Sequence, residues 1–381
     1  MLALTNGIVF TGFDTLHNKA VLVENDTIVD IIDETGIPGS AEIFDTHGQW
    51  ICAGFIDLQL NGCGGIMFND KPDVATLEHM HQVNLKSGTT SFLPTLISDS
   101  DNTIRLGIEA CKRYMSQHKH QVLGMHLEGP YTNPKRKGIH PEAQLRQPNE
   151  EMISWLAEQS QWLKKITLAP EMNKEEHIKQ LIDAGIIVSI GHTAATYDQA
   201  RRAIENGVSF ATHLYNAMSP TSSGREPGVV GAVLDAQHIY AGIIADGYHV
   251  HWANIRIAKS IMQERLCLVT DATAGANAPK DMSSFDFCGS KILIQNGKCV
   301  DENGTLGGSA LTMDEGVRLL VEKANIAKEE AIRMATLYPA KAIGVDNSLG
   351  QIKPGYTANL IVMNQDYKVS ASIVNGVIMR N

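Results

Sequence analysis

Residues 54–65, which read GFIDLQLNGCGG, contain the stretch that decides the fold. The first part, FIDLQL, alternates apolar and polar residues as a strand does, and the glycine-rich NGCGG after it predicts a loop. Because successive side chains on a strand point to opposite faces, Asp57, Gln59 and Asn61 lie on the same face. Three polar side chains where a strand meets a loop predict a site at the carboxyl end of this strand.

Seven further apolar runs follow, and segments with helical spacing, such as KEEHIKQLIDAG and TYDQARRAIENG, separate many of them. The eight runs are FIDLQL, TTSFLPTL, VLGMHLEG, KITLAPE, IIVSIGHT, VSFATHL, YAGIIAD and LCLVTDA. Strands that alternate with helices predict a parallel sheet, and eight strands in roughly 220 residues match the size of a (β/α)8 TIM-like barrel. A doubly wound open sheet is the competing fold, but the chain has no glycine-rich dinucleotide motif.

The two ends of the chain predict a second, smaller domain. GIVFTG, KAVLVEND and TIVDIIDETG near the start alternate as strands do and end in turn residues, and GYTANLIVMN and KVSASIVNGVIM near the end resemble them. We therefore predict an α/β protein with its barrel at residues 53–349. A small β-sandwich domain is expected to be built from both termini, residues 1–52 and 350–381.

Composition narrows the functional classes. A formal net charge of -10 argues against nucleic-acid binding but leaves room for a small anionic substrate in a locally positive pocket. The six cysteines are far apart and form no C-x-x-C pair, which indicates reduced thiols rather than a disulfide framework or a zinc knuckle. The sequence also has neither a signal-peptide pattern at its start nor an apolar run of about eighteen residues. We expect a cytoplasmic protein that binds neither membranes nor nucleic acid.

In a barrel of this type, chemistry lies at the carboxyl ends of the strands. Reading those ends gives Glu128 in MHLEGP, His192 in SIGHT and His213 in ATHLYNAM. One carboxylate and two imidazoles suit a catalytic divalent metal with one position left open. Taken singly, each histidine is more often a packed or surface residue than a ligand, so the prediction depends on the barrel. His126 either supports this site or simply packs, and Cys63 is expected to be a buried bystander thiol.

Asp271 follows the last apolar run, in LCLVTDA. An aspartate there is commonly a helix cap or a turn residue. Beside a metal-activated water, however, a carboxylate is a good general base that can return its proton to a leaving amine. The pattern therefore predicts metal-assisted hydrolysis of an amide. His249 in DGYHVH is then placed to donate to the substrate or its developing oxyanion, unless it is a surface loop histidine.

Two loops at the same end of the barrel predict an anion. Arg225 lies in TSSGREPG, and His140 lies in NPKRKGIHPEA. Arginine forks fit the geometry of phosphate. The basic triplet at residues 135–137 is more often a solvated surface patch, so Arg225 and His140 are the better candidates.

A set of longer motifs extends from one end of the chain to the other: AGFIDLQLNGCGG, HLEGP, GHT, ATHLYNAM, GREPG, IIADGYHV, LVTDAT and GTLGGSALTM. Together they resemble the amidohydrolase superfamily and, within it, the N-acetylglucosamine-6-phosphate deacetylase family. Most superfamily members carry H-x-H at the end of the first barrel strand, where this chain has Gln59 and Asn61. Amides are poor ligands for transition metals. The resemblance therefore implies a single metal held by Glu128, His192 and His213, with the two amides orienting water or closing the second site.

The same resemblance implies further roles. Asp271 is expected to be the catalytic acid and base, with His249 beside it. Zinc is the first expectation for the metal, and iron, manganese and cobalt remain open. A homodimer or higher homo-oligomer is expected, because the resemblance implies that Arg225 can serve the site of a neighbouring subunit. Whether Arg225 serves that site or its own stays open. The implied substrate contacts are Ile139, His140, Asn216, Ala217, Arg225, His249, Leu306, Gly307 and Gly308.

The resemblance implies hydrolysis of the acetamide of N-acetyl-D-glucosamine 6-phosphate, in amino-sugar catabolism and cell-wall recycling. A deacetylase for a related phosphorylated amino sugar, such as N-acetylgalactosamine 6-phosphate, is an alternative because the two sugars differ in one hydroxyl orientation. A non-catalytic barrel that serves as a scaffold is the other alternative. The presence of Asp271 together with all three predicted ligands argues against the scaffold.

Overall fold

The computed structural model describes residues 1–295 and 297–380. Within these ranges the strands are β1 (Leu2–Thr5), β2 (Ile8–Phe10), β3 (Thr15–Leu16), β4 (Lys19–Glu24), β5 (Thr27–Asp33), β6 (Glu42–Asp45), β7 (Trp50–Ala53), β8 (Phe55–Leu60), β9 (Gly62–Cys63), β10 (Ile66–Met67), β11 (Thr89–Ile97), β12 (Met125–Glu128), β13 (Leu163–Leu168), β14 (Ile187–Ile190), β15 (Phe210–Ala211), β16 (Tyr240–Ile244), β17 (Leu266–Val269), β18 (Ser284–Phe287), β19 (Ser290–Gln295), β20 (Lys298–Val300), β21 (Leu306–Ser309), β22 (Leu360–Met363), β23 (Val369–Val374) and β24 (Val377–Arg380).

The helices of the same ranges lie mostly between the central strands or after them. They are α1 (Val74–Leu85), α2 (Asp101–Gln117), α3 (Glu150–Glu158), α4 (Glu175–Asp183), α5 (Tyr197–Glu205), α6 (Gly228–Asp235), α7 (Trp252–Met262), α8 (Met313–Glu322), α9 (Lys328–Ala335) and α10 (Leu337–Ala342). No helix in the described ranges combines the length and apolar character that crossing a membrane requires.

Eight parallel strands form the central sheet, in the order β17-β16-β15-β14-β13-β12-β11-β8. The two edge strands meet where the chain leaves them, because the Asp271 N–H donates to the Gln59 carbonyl at 3.0 Å and the Asn61 N–H donates to the Ala272 carbonyl at 2.8 Å. The sheet is therefore a nearly closed barrel. Each predicted apolar run overlaps one of its strands, so the TIM-like barrel is confirmed.

A separate domain combines strands from both termini. One sheet has the order β5-β4-β1-β6, and the other has the order β24-β23-β22-β7-β2-β3. Leu4 and Val21 of the first sheet share one hydrophobic cluster with Ile51, Leu360 and Ile373 of the second. Two sheets packed over a common core form a sandwich, so this part of the fold prediction is confirmed as well.

A four-stranded antiparallel sheet, β18-β19-β20-β21, is inserted after the last barrel strand. The sequence analysis did not predict it. Ser309 of β21 anchors the sheet to the barrel mouth: its N–H donates to the Asp271 carbonyl at 2.8 Å, and its carbonyl accepts from the Thr273 N–H at 3.0 Å. The inserted sheet therefore lies at the carboxyl ends of the barrel strands, where the predicted site residues are.

Candidate active site

Three of the predicted residues converge at the mouth of the barrel. Glu128 is the last residue of β12, whereas His192 and His213 each follow a barrel strand by two residues. Glu128 Oε1 lies 3.1 Å from His192 Nε2 and 2.9 Å from His213 Nε2, and the two Nε2 atoms are 3.1 Å apart. All three residues are buried. The structure therefore brings together one carboxylate and two imidazoles from three separate strand ends.

The backbone at these strand ends is unusual. The φ values are +48° at His192, +35° at His213 and +51° at Asp271. Residues other than glycine seldom adopt this region. Such conformations persist where the surrounding structure enforces them, and they cluster at functional sites. The left-handed turn lets each side chain point across the barrel mouth immediately after its strand ends.

The chemistry of the donor set fits a cation. His192 Nδ1 lies 2.8 Å from the Arg136 carbonyl oxygen, and because a carbonyl only accepts, Nδ1 carries the proton. In the neutral ring, Nε2 is then an acceptor aimed at Glu128 Oε1, which is also an acceptor. Two acceptors at hydrogen-bonding distance require a cation or a shared proton between them. A backbone carbonyl that fixes the outer nitrogen is also the usual support of a metal-bound histidine.

The pKa values in this cluster follow from burial and contact. Burial opposes ionisation of Glu128, but hydrogen bonding with His192 and His213 outweighs it and holds the pKa of the carboxyl well below its usual range. Burial works against the charged ring of His213, yet its contact with Glu128 raises the pKa of that imidazole. Glu128 is therefore an anion that attracts positive charge to the barrel mouth.

His140 is a further imidazole at the edge of the cluster. One ligand atom each from Glu128, His140 and His192 lie within 4.8 Å of one another. His140 Nδ1, however, already pairs with the Ser98 hydroxyl at 2.7 Å. The set that contains His213 is tighter, so we assign Glu128, His192 and His213 as the candidate ligands and leave His140 beside them. Burial holds the pKa of His140 well below its usual range, which keeps the ring neutral.

The two amides of β8 contact carboxylates. Gln59 Nε2 donates to both oxygens of Glu128 at 3.1 and 3.2 Å and to Asp271 Oδ1 at 3.0 Å. Asn61 Nδ2 donates to the same Asp271 oxygen at 2.7 Å. Burial and the negative charge of Glu128 raise the pKa of Asp271, and the Asn61 hydrogen bond partly offsets them. Asp271 is thus a carboxylate with increased proton affinity whose Oδ1 is fixed by two donors.

His249 is held by the carboxylate of Asp246, the first residue of DGYHVH. Its Nδ1 lies 2.6 Å from Asp246 Oδ2, while Asp246 Oδ1 accepts the backbone N–H groups of Tyr248 and His249 at 2.8 and 2.9 Å. Burial opposes the charge on Asp246, but the His249 contact outweighs it and lowers the pKa of the carboxyl. Nδ1 of His249 is paired with Asp246, so Nε2 is the ring nitrogen that remains to contact a ligand in the cavity that His249 lines.

A cavity of about 180 Å³ lies at the centre of these residues. A larger depression of about 600 Å³ lies on the outer side of the barrel between α4 and α5, and none of the predicted site residues lines it. The predicted residues that line the smaller cavity are Asn61, Glu128, Ile139, His140, His192, His213, Asn216, Ala217, His249, Asp271, Leu306 and Gly308.

Three predicted residues lie elsewhere. Gln59 is buried behind the cavity, in contact with its two carboxylates. Gly307 lies in β21, where a Cβ would be 2.8 Å from the Ile292 side chain and 3.5 Å from that of Ile139. Arg225 is exposed on the loop between β15 and α6, outside the lining of this cavity.

Several lining residues were missed from the sequence. Ile97 ends β11, and Phe287 ends β18 of the inserted sheet. Ile97 was overlooked because only polar strand ends were considered. Phe287 could have been found from the alternation in SFDF before the Cys288-Gly289 turn, which is typical of a hairpin strand.

The comparisons with known proteins agree with this geometry. Residues 50–379 match the model of the amidohydrolase family, and residues 1–51 match a model described as the NagA composite domain. The chain is 46% identical to an N-acetylglucosamine-6-phosphate deacetylase of Haemophilus influenzae over 98% of both chains. It is 38% identical to an N-acetylgalactosamine-6-phosphate deacetylase of Shewanella sp., over 86% of this chain and 82% of that protein.

Among solved structures, the crystal structure of N-acetylglucosamine-6-phosphate deacetylase from Pasteurella multocida superposes with a TM-score of 0.98, at 48% identity over the whole of both chains. The two family models together cover residues 1–379. This range contains the barrel, the terminal sandwich and the strand-end cluster. The chain belongs to the amidohydrolase family.

Proposed function

We propose that this chain hydrolyses the acetamide of N-acetyl-D-glucosamine 6-phosphate to give D-glucosamine 6-phosphate and acetate. The observation that carries the proposal is the convergence of Glu128, His192 and His213 on a cavity that Asp271 also lines. A hydrolase needs an activated water and a general base within one small cavity, and these residues supply both. The names of the Haemophilus and Pasteurella relatives support the choice of substrate.

We infer that Glu128, His192 and His213 hold one divalent metal ion, with zinc as the first expectation and iron, manganese or cobalt as alternatives. When bound, such an ion polarises the scissile carbonyl and lowers the pKa of water. The amides at positions 59 and 61, in place of imidazoles, favour a single ion. Their oxygen atoms are buried and have no hydrogen-bond partner among the described residues, so they are free to accept from water.

Asp271 acts as the general base and then as the general acid. Its raised pKa, caused by burial and by the charge of Glu128, suits a carboxyl that must take a proton and give it back. Gln59 and Asn61 both donate to Oδ1, which leaves Oδ2 for proton transfer. The proton passes to the nitrogen of the leaving amine, because an unprotonated amine leaves poorly. His249 lines the same cavity; its Nδ1 donates to Asp246, so its Nε2 donates to the substrate when the ring carries a second proton.

The sugar is bound by the remaining lining residues. Ile139, His140, Asn216, Ala217, Leu306 and Gly308 surround the cavity, and the absence of a side chain at Gly307 leaves room for Ile292 of the inserted sheet. Arg225 is the proposed phosphate ligand. Since it is exposed in this chain, we infer that it reaches either its own site by loop closure or the site of a neighbouring subunit in a homodimer or higher oligomer. Six reduced cysteines fit the cytoplasmic location that we expect.

N-acetylgalactosamine 6-phosphate is the second candidate substrate, and the 38% identity to the Shewanella deacetylase of that sugar favours it. The deciding experiment measures acetate release by metal-reconstituted enzyme from both sugar phosphates and from unphosphorylated N-acetylglucosamine. We expect the highest kcat/KM with N-acetylglucosamine 6-phosphate and a large loss without the phosphate. Preference for the galactose configuration would favour the second candidate. Protein that binds no metal and releases no acetate would instead be the non-catalytic scaffold.

A further inference from the structure

One wall of the cavity is apolar. Ile97 and Phe287 belong to one hydrophobic cluster against which Ile139 packs, and all three line the cavity; Leu306 lines it as well, and we call these four residues the apolar wall. The apolar residues come from the end of β11, a loop after β12, and the inserted sheet. The wall is therefore assembled from three parts of the chain that meet only in the folded protein.

This apolar wall begins directly beside the metal ligands. Ile97 and Glu128 are paired in the parallel register of β11 and β12. Paired residues of neighbouring strands project their side chains to the same side of a sheet. Ile97 therefore stands next to the Glu128 carboxylate, and both residues line the cavity. Any group that reacts beside Glu128 comes within reach of this wall.

The wall is packed rather than loose. Phe287 is 1% exposed and Ile97 is 2% exposed, and both belong to one hydrophobic cluster with Met67 and Ile292. Side chains held in a close-packed cluster adjust little when a ligand is enlarged. The wall therefore sets a fixed limit on the size of an apolar group that binds against it.

We propose that Phe287 and Ile97 determine the size of the acyl group that the enzyme accepts. The inference rests on the proposed function. In an N-acetylated sugar phosphate, the acetyl methyl is the only substituent without an oxygen or nitrogen atom, and it is bonded to the carbon that reacts. An apolar wall next to Glu128 matches that methyl in polarity and in position. A longer acyl chain has to displace Phe287 or Ile97 from the cluster.

The test compares kcat/KM for N-acetyl- and N-propionylglucosamine 6-phosphate in the metal-reconstituted enzyme. One added methylene against a fixed apolar wall is expected to cost about 10- to 200-fold, so the unmodified chain should prefer acetyl by such a factor. Phe287→Ala removes part of the wall and should reduce this preference about tenfold or more. Phe287→Leu, a milder change that spares more of the packing, should reduce it by a smaller factor and serves if Phe287→Ala does not fold.

Phe285→Ala is the matched control. Phe285 lies two residues earlier on the same strand and in the same cluster, but it does not line the cavity. Phe285→Ala should leave the acetyl preference unchanged, although it also removes a buried aromatic ring from the cluster. Equal use of both acyl groups by the unmodified chain, an unchanged preference in both Phe287 variants, or the same relaxation in Phe285→Ala would overturn the inference. If the unmodified chain released no acetate at all, the proposed function itself would fail.

Discussion

Gln59 carries a single amide that contacts two carboxylates. Its Nε2 lies 3.1 Å from Glu128 Oε2 and 3.0 Å from Asp271 Oδ1. Two buried carboxylates raise each other's pKa, and a donor shared between them reduces that repulsion. Glu128 and Asp271 are thereby kept in one cavity with different proton affinities: the pKa of Glu128 is lowered by its imidazoles, and that of Asp271 is raised. The anionic carboxylate of Glu128 and the proton-accepting carboxylate of Asp271 therefore coexist in one small cavity.

We expect Asp271→Asn to lower kcat by about 10³-fold or more, because general acid–base catalysis contributes roughly 10²- to 10⁴-fold and both proton transfers are lost together. Metal content and the affinity for substrate should change little, since the amide occupies the same volume. Acetate release, metal analysis and calorimetric titration with the substrate measure the three quantities.

Asp70→Asn is the control for Asp271→Asn. Desolvation and the nearby charge of Asp286 also raise the pKa of Asp70, but this residue is exposed and does not line the cavity, and its amide variant should turn over normally. Near-normal turnover in Asp271→Asn would remove Asp271 from its proposed role, and loss of metal in that variant would make it a ligand instead.

Among the elements, the barrel strands and the terminal strands were predictable, and the inserted sheet was not. The barrel strands lie in apolar runs between helical segments, so periodicity alone locates them. The strands β18–β21 are as long as several barrel strands but half polar, and their apolar residues pack in a cluster separate from the main barrel core. Residues 150–163, EEMISWLAEQSQWL, have helical spacing throughout, but α3 ends at Glu158. The Trp162 carbonyl there accepts from the Met125 N–H, so the chain is already joining the sheet.

The barrel also accounts for where the site residues lie. Strand ends of a barrel meet at one rim, so polar residues at those positions become neighbours once the fold is known. Glu128, His192 and His213 were predictable for this reason. The contacts around them were not, because the hydrogen bonds from Gln59 to both carboxylates and from His249 to Asp246 depend on side-chain geometry. Arg225 lies on a loop, where strand order gives no position.

The inserted sheet contacts the backbone of Asp271 through a glycine, Gly308. Gly308 has φ +64°, and a Cβ there would lie 2.4 Å from the Thr273 side chain and 2.8 Å from the Asp271 carbonyl oxygen. We expect Gly308→Ala to displace the backbone at Asp271, lowering kcat and destabilising the protein by about 1–3 kcal/mol. Urea unfolding and acetate release measure the two effects.

Gly289→Ala is matched to Gly308→Ala. Gly289 also has a left-handed φ, +87°, in the same inserted sheet, but nothing lies within 4 Å of its would-be Cβ. It should show the conformational strain alone and retain its kcat. Equal kcat values in the two variants would mean that Gly308 has no part in positioning Asp271.

For the molecule as a whole, the barrel interior holds a buried base. Lys165 is fully buried, donates to the Leu58 carbonyl at 2.8 Å and lies 4.5 Å from the centre of the Phe210 ring. Burial lowers the pKa of Lys165 to about 8, against the opposing charges of Glu128 and Asp57. Burial likewise raises the pKa of Asp57 to about 6. Both groups thus hold their charges at a cost to the folded state near neutral pH.

The sign of the pH dependence follows from Lys165. Between about pH 8 and the ordinary lysine value of 10.5, the unfolded chain keeps the proton and the folded chain loses it. The free energy of unfolding should therefore rise with pH across this window, by about 3 kcal/mol relative to Lys165→Met. Below pH 8 the difference between the two proteins should be constant. Urea unfolding of both proteins at intervals from pH 7 to pH 10.5 provides the data, and parallel curves would contradict the assignment.

A subunit-mixing experiment tests whether Arg225 serves its own site or that of a neighbouring subunit. If each Arg225 serves the neighbouring subunit of a dimer, Arg225→Ala and Asp271→Asn inactivate different sites and complement each other. In a dimer that contains one chain of each variant, one site carries both defects and the other carries neither. Random exchange makes half of the dimers mixed, so an equal mixture should regain about a quarter of the unmodified activity with the phosphorylated substrate. If Arg225 serves its own site, every site in the mixture keeps a defect, and activity stays at the level of the separate variants. A mixture of two separate preparations of Asp271→Asn is the control. It measures any activity that the mixing procedure itself produces.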